Sequence, residues 1–447
     1  MPSALPVRAR SLWSWPRLTL GLVVLAALVL RWQLYDVQSG DYRSFLLPWY
    51  EQLSGGFSAL AGDFSNYNTP YLVLLWLMTH VPVTPLVAVK TLSVLGDLLL
   101  AGFVHATVRQ LRPGSRWAPV LATSVVLLLP TVVLNSSAWA QCDSLYAACC
   151  VGSLYFLLRR RPWLACVLFG LAFAFKLQAV FFLPVLVVVL LLNRQRLLAL
   201  VAVPAAFFAA LVPALVAGRS LASQLAVYPA QVSDTGGAAG AGARAVGGAG
   251  RGGFGGGGTT GGRGGFGGGG TGGFGTGGGG GTSTGTLTRN APTWYAWLPS
   301  DAGTVWKYVG LALAAAVVLG FGVWLLRRRL PLTNGQTVLL GATATLLVPL
   351  LLPQMHERYF YLAEVLLVVA CFVDRRYVLP AVAIQAASVS TYITYLWSTD
   401  LMSLGTAAAV ALLGALAAVM LLVLALRRPR ADQPAEAPAV PTPVAVG

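Results

Sequence analysis

The sequence predicts an all-α polytopic membrane protein of about twelve transmembrane helices, with both termini cytoplasmic and a large first outer loop carrying interfacial helices. Three observations carry this expectation. The 447 residues are 57% hydrophobic and only 10% charged, against roughly 25% charged in a soluble domain, so the chain lacks the polar surface to cover a water-facing globule. Long apolar runs recur along it, and most approach the ~20 residues that cross hydrocarbon as a helix. Most of the 30 Lys and Arg stand in short clusters between these runs, as the bias of basic residues toward cytoplasmic loops requires. Backbone groups in lipid must be satisfied within the chain, which favours helices over open strands. The alternation of an outer-membrane barrel is absent.

The net charge of +16 is distributed as topology markers, not as a nucleic-acid surface, and no nucleic-acid partner is expected. Arg8/Arg10/Arg17, Arg109/Arg112/Arg116, Arg159/Arg160/Arg161, Arg194/Arg196, Arg327/Arg328/Arg329, Arg375/Arg376 and Arg427/Arg428/Arg430 mark the cytoplasmic side. Two spans then separate each cluster from the next. The first interval holds three apolar stretches, 18–34, 71–81 and 86–108. The middle one is short and bracketed by Pro70 and Pro82, so it reads as an interfacial or re-entrant helix. Without a signal-peptide cleavage site, 18–34 reads as a retained anchor. The expected organisation is a cytoplasmic N-terminus (1–17), an N-terminal transmembrane module (18–217) with outer loop 35–85, a second outer loop (218–302), a C-terminal transmembrane module (303–426) and a cytoplasmic tail (427–447).

Within the second outer loop, residues 236–285 are nearly all Gly, Thr, Ala and Ser. This segment cannot bury enough apolar area to offset the entropy of ordering, and it reads as a disordered insertion. Its Gly-Gly-Phe-Gly repeats resemble phase-separating or single-strand-binding tracts, but a tolerated surface insertion is the simpler reading. No strand precedes it and no Gly-Lys-Ser/Thr follows, so a nucleotide cradle is not expected. Cys142, Cys149, Cys150, Cys166 and Cys371 lie in or beside apolar runs and behave as small hydrophobes.

The predicted topology gathers polar residues on the outer face. Polar groups at membrane depth are functional candidates by default. In the first outer loop, Asp41 precedes Phe45, Trp49 and Leu53 at helical spacing, although Pro48 weakens the later half. Asp41 is either an ordinary N-cap carboxylate or a general base for an incoming hydroxyl. Asp63, Tyr67 and Asn68 form a polar, aromatic turn suited to a carbohydrate or headgroup, or simply a turn before the interfacial helix. Gln141 and Asp143 stand at an outer helix entrance, as sugar-hydroxyl ligands or as caps. Lys176 and Gln178 form a tight polar turn between two short spans, 171–176 and 180–192. There Lys176 either snorkels to the interface or contacts a phosphate. Four polar residues in a row, Gln354 with His356, Glu357 and Arg358 around Met355, stand between two spans. Arg358 offers fork geometry for phosphate and His356 a hydrogen bond or proton. The zinc pattern His-Glu-x-x-His is absent, because Phe360 occupies its last position. His80 and His105 fall on other elements. No metal or other cofactor is expected.

Taken in order, Gly40-Asp41-Tyr42, Asn66 to Tyr71, Lys90 to Asp97, Trp139 to Tyr146, Phe175 to Gln178 with Phe181 to Pro184, Asn290-Ala291-Pro292 and His356 to Phe360 resemble the GT-C superfamily of membrane glycosyltransferases. The nearer likeness is to bacterial relatives of the GPI mannosyltransferases and to the dolichyl-phosphate-glucose-dependent glucosyltransferases. The likeness covers roughly residues 18–372. It implies transfer of a hexose, mannose or glucose, from a polyprenyl-phosphate donor to an acceptor hydroxyl outside the cytoplasm, with inversion. It implies Asp41 as general base, His356 near the donor phosphate, and Lys176 with Gln178 beside the same cavity. Asn68-Thr69-Pro70 departs from the usual acidic or Tyr residue followed by Pro-Pro. The Gly-rich insertion separates Tyr228-Pro229 from Asn290-Ala291-Pro292, which are contiguous in relatives.

The expected mechanism has a donor phosphate held by Arg358, His356 and Lys176, with Asp41 taking the acceptor proton. Substrate contacts are expected from Gln178, Asp143, Gln141, Asp63, Tyr67, Asn68, Asn290 and Glu357. The acceptor is a lipid, a glycan or a protein, and the setting is the cell membrane. The alternative is a transporter or lipid-carrier flippase, which calls for internal repeats and midplane ionisable residues. No repeat is evident, and only Asp97 and Glu364 are acidic residues well inside spans.

Overall fold

The structure is a computed structural model that describes residues 15–233, 287–299 and 303–427. The 236–285 insertion, Asp234, Asp301, residues 1–14 and residues 428–447 lie outside the described residues. The described chain is almost wholly helical; its one sheet pairs Thr288–Arg289 with Met355–His356 in parallel. Seven helices are long and apolar enough to cross a membrane, and eight if the pair Trp117–Leu128 and Pro130–Ala138, bent by 53°, forms one span. The other apolar helices are shorter, among them Asp143–Leu158, Pro162–Phe175 and Leu177–Leu192. Their shortness has a physical cause. They end at polar turns, and irregular backbone at membrane depth persists only where it faces protein or a wet cavity.

The interior is a packed helix bundle. The long Pro85–Leu111 helix lies against Asp143–Leu158, which lies against Pro162–Phe175, which lies against Ala202–Ala217. Small residues permit these approaches. A Cβ on Gly96 would fall 2.5 Å from Ser144 Oγ, and one on Gly170 2.4 Å from the Val203 carbonyl. Five free cysteines, four of them buried, sit among the apolar side chains as the sequence leads one to expect.

The helices set two ends apart. Asp143 opens a helix that closes at Leu158, beside Arg159–Arg161, and the Pro162–Phe175 helix runs back to Lys176. At ~1.5 Å per residue the 16-residue first member is about 24 Å long. The arginine end is knitted across the sequence. Arg112 Nε donates to the Phe372 carbonyl at 2.6 Å, and Asn193 Oδ1 accepts from Leu332 N at 2.7 Å.

The segment after the first long helix forms its own apolar cluster at the other end. Trp49, Leu53, Leu60, Tyr67, Tyr71, Leu72 and Leu75 pack together there. The expected interfacial helix is Thr69–Met78, ten residues long and too short to span. Pro48 does not break its element. The helical path runs unbroken from Gly40 through Pro48 to Leu53, and the wide π-turn over Tyr42–Leu46 just before it accommodates the proline.

Candidate active site

Asp41 is not the cap of its helix. Its side chain makes no capping bond. Ser39 does that work instead: its Oγ accepts from Tyr42 N at 3.0 Å and donates to the Trp139 carbonyl at 2.7 Å. The Asp41 carboxylate is therefore released toward four side chains from distant segments. Arg358 Nη1 reaches Oδ2 at 2.7 Å, Gln141 Nε2 at 2.6 Å and Trp139 Nε1 at 3.0 Å, while the Tyr395 hydroxyl donates to Oδ1 at 2.6 Å.

Local backbone explains how Trp139 and Gln141 both face Asp41. Ala140, between them, has φ 66°, a left-handed conformation that costs an L-residue roughly 1–2 kcal/mol. Three further non-glycine residues at this end, Asn290 (φ 59°), Gln354 (φ 60°) and Ser398 (φ 53°), share that geometry. Such strain persists where surrounding contacts over-determine it, and it concentrates at functional sites. Tyr395 is placed by stacking on Trp139, with ring centroids 4.2 Å apart and planes 16° from parallel.

The network continues inward through Gln141. Its Oε1 accepts from the Tyr67 hydroxyl at 2.8 Å and from Lys176 Nζ at 3.5 Å. Lys176 neither snorkels nor stands ready for phosphate alone. It is buried, ion-paired with Asp143, and 5.2 Å from the centre of the Tyr67 ring. Asp143 likewise is no cap; its second oxygen accepts from Asn135 Nδ2 at 2.8 Å. Gln178 is buried nearby in sequence, with its Oε1 lacking a partner among the described residues.

The His356 to Arg358 turn enters from the C-terminal module. The Thr288–Arg289 strand holds it by pairing with Met355–His356, and Arg289 Nη1 lies 3.4 Å from His356 Nε2. Burial, with Arg358 and Arg289 alongside, pushes the His356 imidazole down to about 3. His356 is thus neutral at physiological pH, so it can offer a hydrogen bond but no cationic charge. Glu357 is buried, and burial raises its carboxyl to about 7 despite Arg358 beside it. Its Oε1 has no partner among the described residues. Asp41 is pulled in the opposite direction. Burial raises it, but the Arg358 cation and the Tyr395 and Trp139 hydrogen bonds prevail and hold it below the usual carboxylate range. Arg358 itself stays charged; burial disfavours its charge, and Asp41 more than compensates. Its Nε is buried and unpaired among the described residues, and its guanidinium lies 5.4 Å from the centre of the Trp139 ring.

Three candidates fall outside this network. Asp63 is exposed and paired with Arg219 at 2.7 Å, fastening the segment before Thr69–Met78 to the segment after Ala202–Ala217. Asn290 donates its amide to the Thr391 carbonyl at 3.0 Å, so it braces the strand pair. Asn68 is fully buried with neither side-chain amide atom in a formed hydrogen bond among the described residues. Sequence reasoning missed Tyr395, Arg289 and Asn135. Tyr395 lies in an ordinary apolar span, and only its stacking partner Trp139 had been singled out. Arg289 directly precedes Asn290, and its adjacency to an already marked motif was the available signal.

Glu357 yields a pH prediction. Its folded value of about 7 lies above its ordinary 4.5. Its contribution to stability is therefore complete below 4.5 and is lost as pH rises toward 7. Thermal unfolding in detergent at pH 5.5 and pH 8 is expected to show a fall in Tm for the wild type that Glu357→Gln largely removes. Equal falls in both proteins would remove Glu357 as the source.

Residues 64–249, somewhat under half of the chain, match the family model of Glycosyltransferase family 87. Tyr67, Asn68, Gln141, Asp143, Lys176 and Gln178 fall within the match, whereas Asp41, Asn290 and the His356–Arg358 turn fall outside it. No curated protein matches the chain. The family match, on a multi-helix membrane bundle with a buried polar site, indicates glycosyltransferase activity.

Proposed function

We propose that the protein is an inverting glycosyltransferase that moves a hexose, mannose or glucose, from a polyprenyl-phosphate donor to an acceptor hydroxyl on the non-cytoplasmic face of the cell membrane. The acceptor is a lipid, glycan or protein. The arrangement within the membrane is twelve spans with both termini cytoplasmic. The bent pair and the four shorter segments Asp143–Leu158, Pro162–Phe175, Leu177–Leu192 and Tyr361–Cys371 then cross beside the seven long ones, and the arginine end faces the cytoplasm.

One observation carries the reading. Arg358 holds Asp41 through Nη1 while its Nε stays buried without an acceptor. A buried charged donor without a partner is costly, and a phosphate oxygen is the acceptor its fork geometry suits. The same cation would then touch both the base and the leaving group. In the proposed step the acceptor oxygen attacks the anomeric carbon from the Asp41 side. The bond from that carbon to the phosphate oxygen breaks with its electron pair, and the hydroxyl proton passes to Asp41. Polyprenyl phosphate leaves one unit more negative, a charge that Arg358 is placed to stabilise. The phosphate also draws Arg358 away from Asp41, which strengthens the base when the donor is present. Gln141, Tyr67, Asp143, Lys176, Gln178, Asn68 and Glu357 supply sugar-hydroxyl contacts, with Lys176 and neutral His356 as further phosphate donors. Asp63 and Asn290 hold the loops that frame the site.

The test is transfer by purified protein from polyprenyl-phosphate mannose or polyprenyl-phosphate glucose to total cell lipid and glycan, read as release of polyprenyl phosphate. Release from one donor is expected and identifies the sugar. No release from either, by folded protein with a rich acceptor pool, would favour the lipid-carrier or transporter reading.

A further inference from the structure

Opposite the Asp41 network, two arginine clusters that are separate in sequence converge on one cavity of about 550 Å³. Arg160, Arg161, Arg194 and Arg196 line it together with Trp163 and Leu164. It lies at the far ends of the helices whose other ends carry Asp143 and Lys176, so it is distinct from the candidate active site. The four arginines form no ion pair among the described residues. We propose that this cavity binds the phosphate headgroup of an anionic membrane phospholipid.

The turns that build it carry a conformational cost. Helices Asp143–Leu158 and Leu183–Leu192 end alike. Arg160 (φ 54°) and Arg194 (φ 48°) are left-handed, and each following amide returns to a helical carbonyl, Arg161 N to Phe156 O and Gln195 N to Leu190 O, both at 2.9 Å. That left-handed position is one where helices usually place Gly or Asn. Here both turns place Arg in it, as the chain also does at Arg329 (φ 51°) outside the cavity; what sets Arg160 and Arg194 apart is that their two turns line one space. The result is four positive charges around one space, not a scatter along a loop. Trp163 and Leu164 line it and are exposed, as are Leu197 and Leu198, which follow Arg196 in sequence. A charged cleft edged by Trp and Leu matches an amphiphile whose phosphate enters the cleft and whose chains lie along the rim. The unpaired first-turn amides of the Pro162–Phe175 helix add to the positive potential.

The experiment uses the full chain in mixed micelles, with retained lipid counted by native mass spectrometry. Phosphatidylglycerol, phosphatidylcholine and inorganic phosphate are the probes. Wild type is expected to retain phosphatidylglycerol in roughly 10- to 30-fold preference to phosphatidylcholine. The Arg160→Gln/Arg194→Gln variant is expected to lose that preference, while leaving Arg159, Arg161 and Arg196 as topology signals. Arg327→Gln/Arg329→Gln removes the same charge from exposed residues outside the cavity and is expected to keep it. Equal retention of the two lipids by wild type would overturn the proposal, and needs no variant to fold. Equal loss in both variants would reduce the effect to net charge. Displacement by millimolar inorganic phosphate that itself stays bound would make it a free-phosphate site.

Discussion

Asp41→Asn is expected to lower the rate of polyprenyl-phosphate release by about 10²- to 10⁴-fold, the usual contribution of a placed general base, while the protein stays folded. The substitution is close to isosteric. The introduced amide keeps one oxygen to accept from Tyr395 or Gln141, and Ser39, not residue 41, caps the helix. What disappears is the charge that accepts a proton and that pairs with Arg358 at 2.7 Å. Both partners are more than four-fifths buried by side-chain exposure, at 18% and 15%, so some loss of stability accompanies the change, and the activity must be normalised to folded protein. Donor binding separates the two effects. If Arg358 is shared between Asp41 and the donor phosphate, releasing it should leave KM for the donor unchanged or lower while kcat falls. A fall confined to donor affinity would instead make Asp41 a prop for Arg358. Because Asp41 is held below the usual carboxylate range in the free protein, the wild-type kcat/KM is expected to show no acid limb from this residue above about pH 4. Full turnover by the folded asparagine variant would end the base assignment.

The sequence made the polar residues of the site visible because each is rare in an apolar chain. Asp41, Gln141, Lys176 and Arg358 could be picked out one by one. It did not disclose who pairs with whom. Arg358 and Asp41 stand 317 positions apart, and nothing local to either motif encodes their contact. The capping reading of Asp41 and Asp143 failed for a related reason. Capping is judged from position at a helix start, but a competing charge from a distant segment, Arg358 or Lys176, decides where the carboxylate points. The helices behaved similarly. Long uniform runs such as Gly303–Arg328 and Leu404–Arg427 were legible. The short spans around Lys176 and the polar run at Gln354–Arg358 were also legible as unusual, but not that both turns meet in the Asp41 network. Arg31 shows the limit most sharply. It sits at the end of an apolar run, where an arginine normally reaches for water, and yet it is buried against Asp97.

That buried pair supports the second large prediction. Arg31 Nε meets Asp97 Oδ2 at 2.9 Å with both side chains at most 2% exposed. Its Nη1 also donates to the carbonyls of Ala27 at 3.1 Å and Leu127 at 2.8 Å. Arg31 thereby ties the Trp15–Trp32 helix to Pro85–Leu111 and Trp117–Leu128. A few residues on, Lys90 Nζ gathers the carbonyls of Leu34, Tyr35 and Val37 at 2.5–2.8 Å, closing the turn that leads to Asp41. Removing one member of a buried pair strands the other and costs about 3–5 kcal/mol, whereas replacing both by apolar side chains of similar size is often neutral or stabilising. Arg31→Met alone is therefore expected to depress Tm and folded yield severely. Arg31→Met/Asp97→Leu should recover most of the loss, with specific activity near wild type, because neither residue touches the Asp41 network. Size-exclusion yield, thermal unfolding and turnover of the folded fraction read all three. If the double variant folds well but turns over slowly, the pair matters for more than packing, through the placement of the first outer loop. If the single variant is as stable as wild type, Asp97 has another partner or sheds its charge without cost, and the pair is not what fixes the first helix against the bundle.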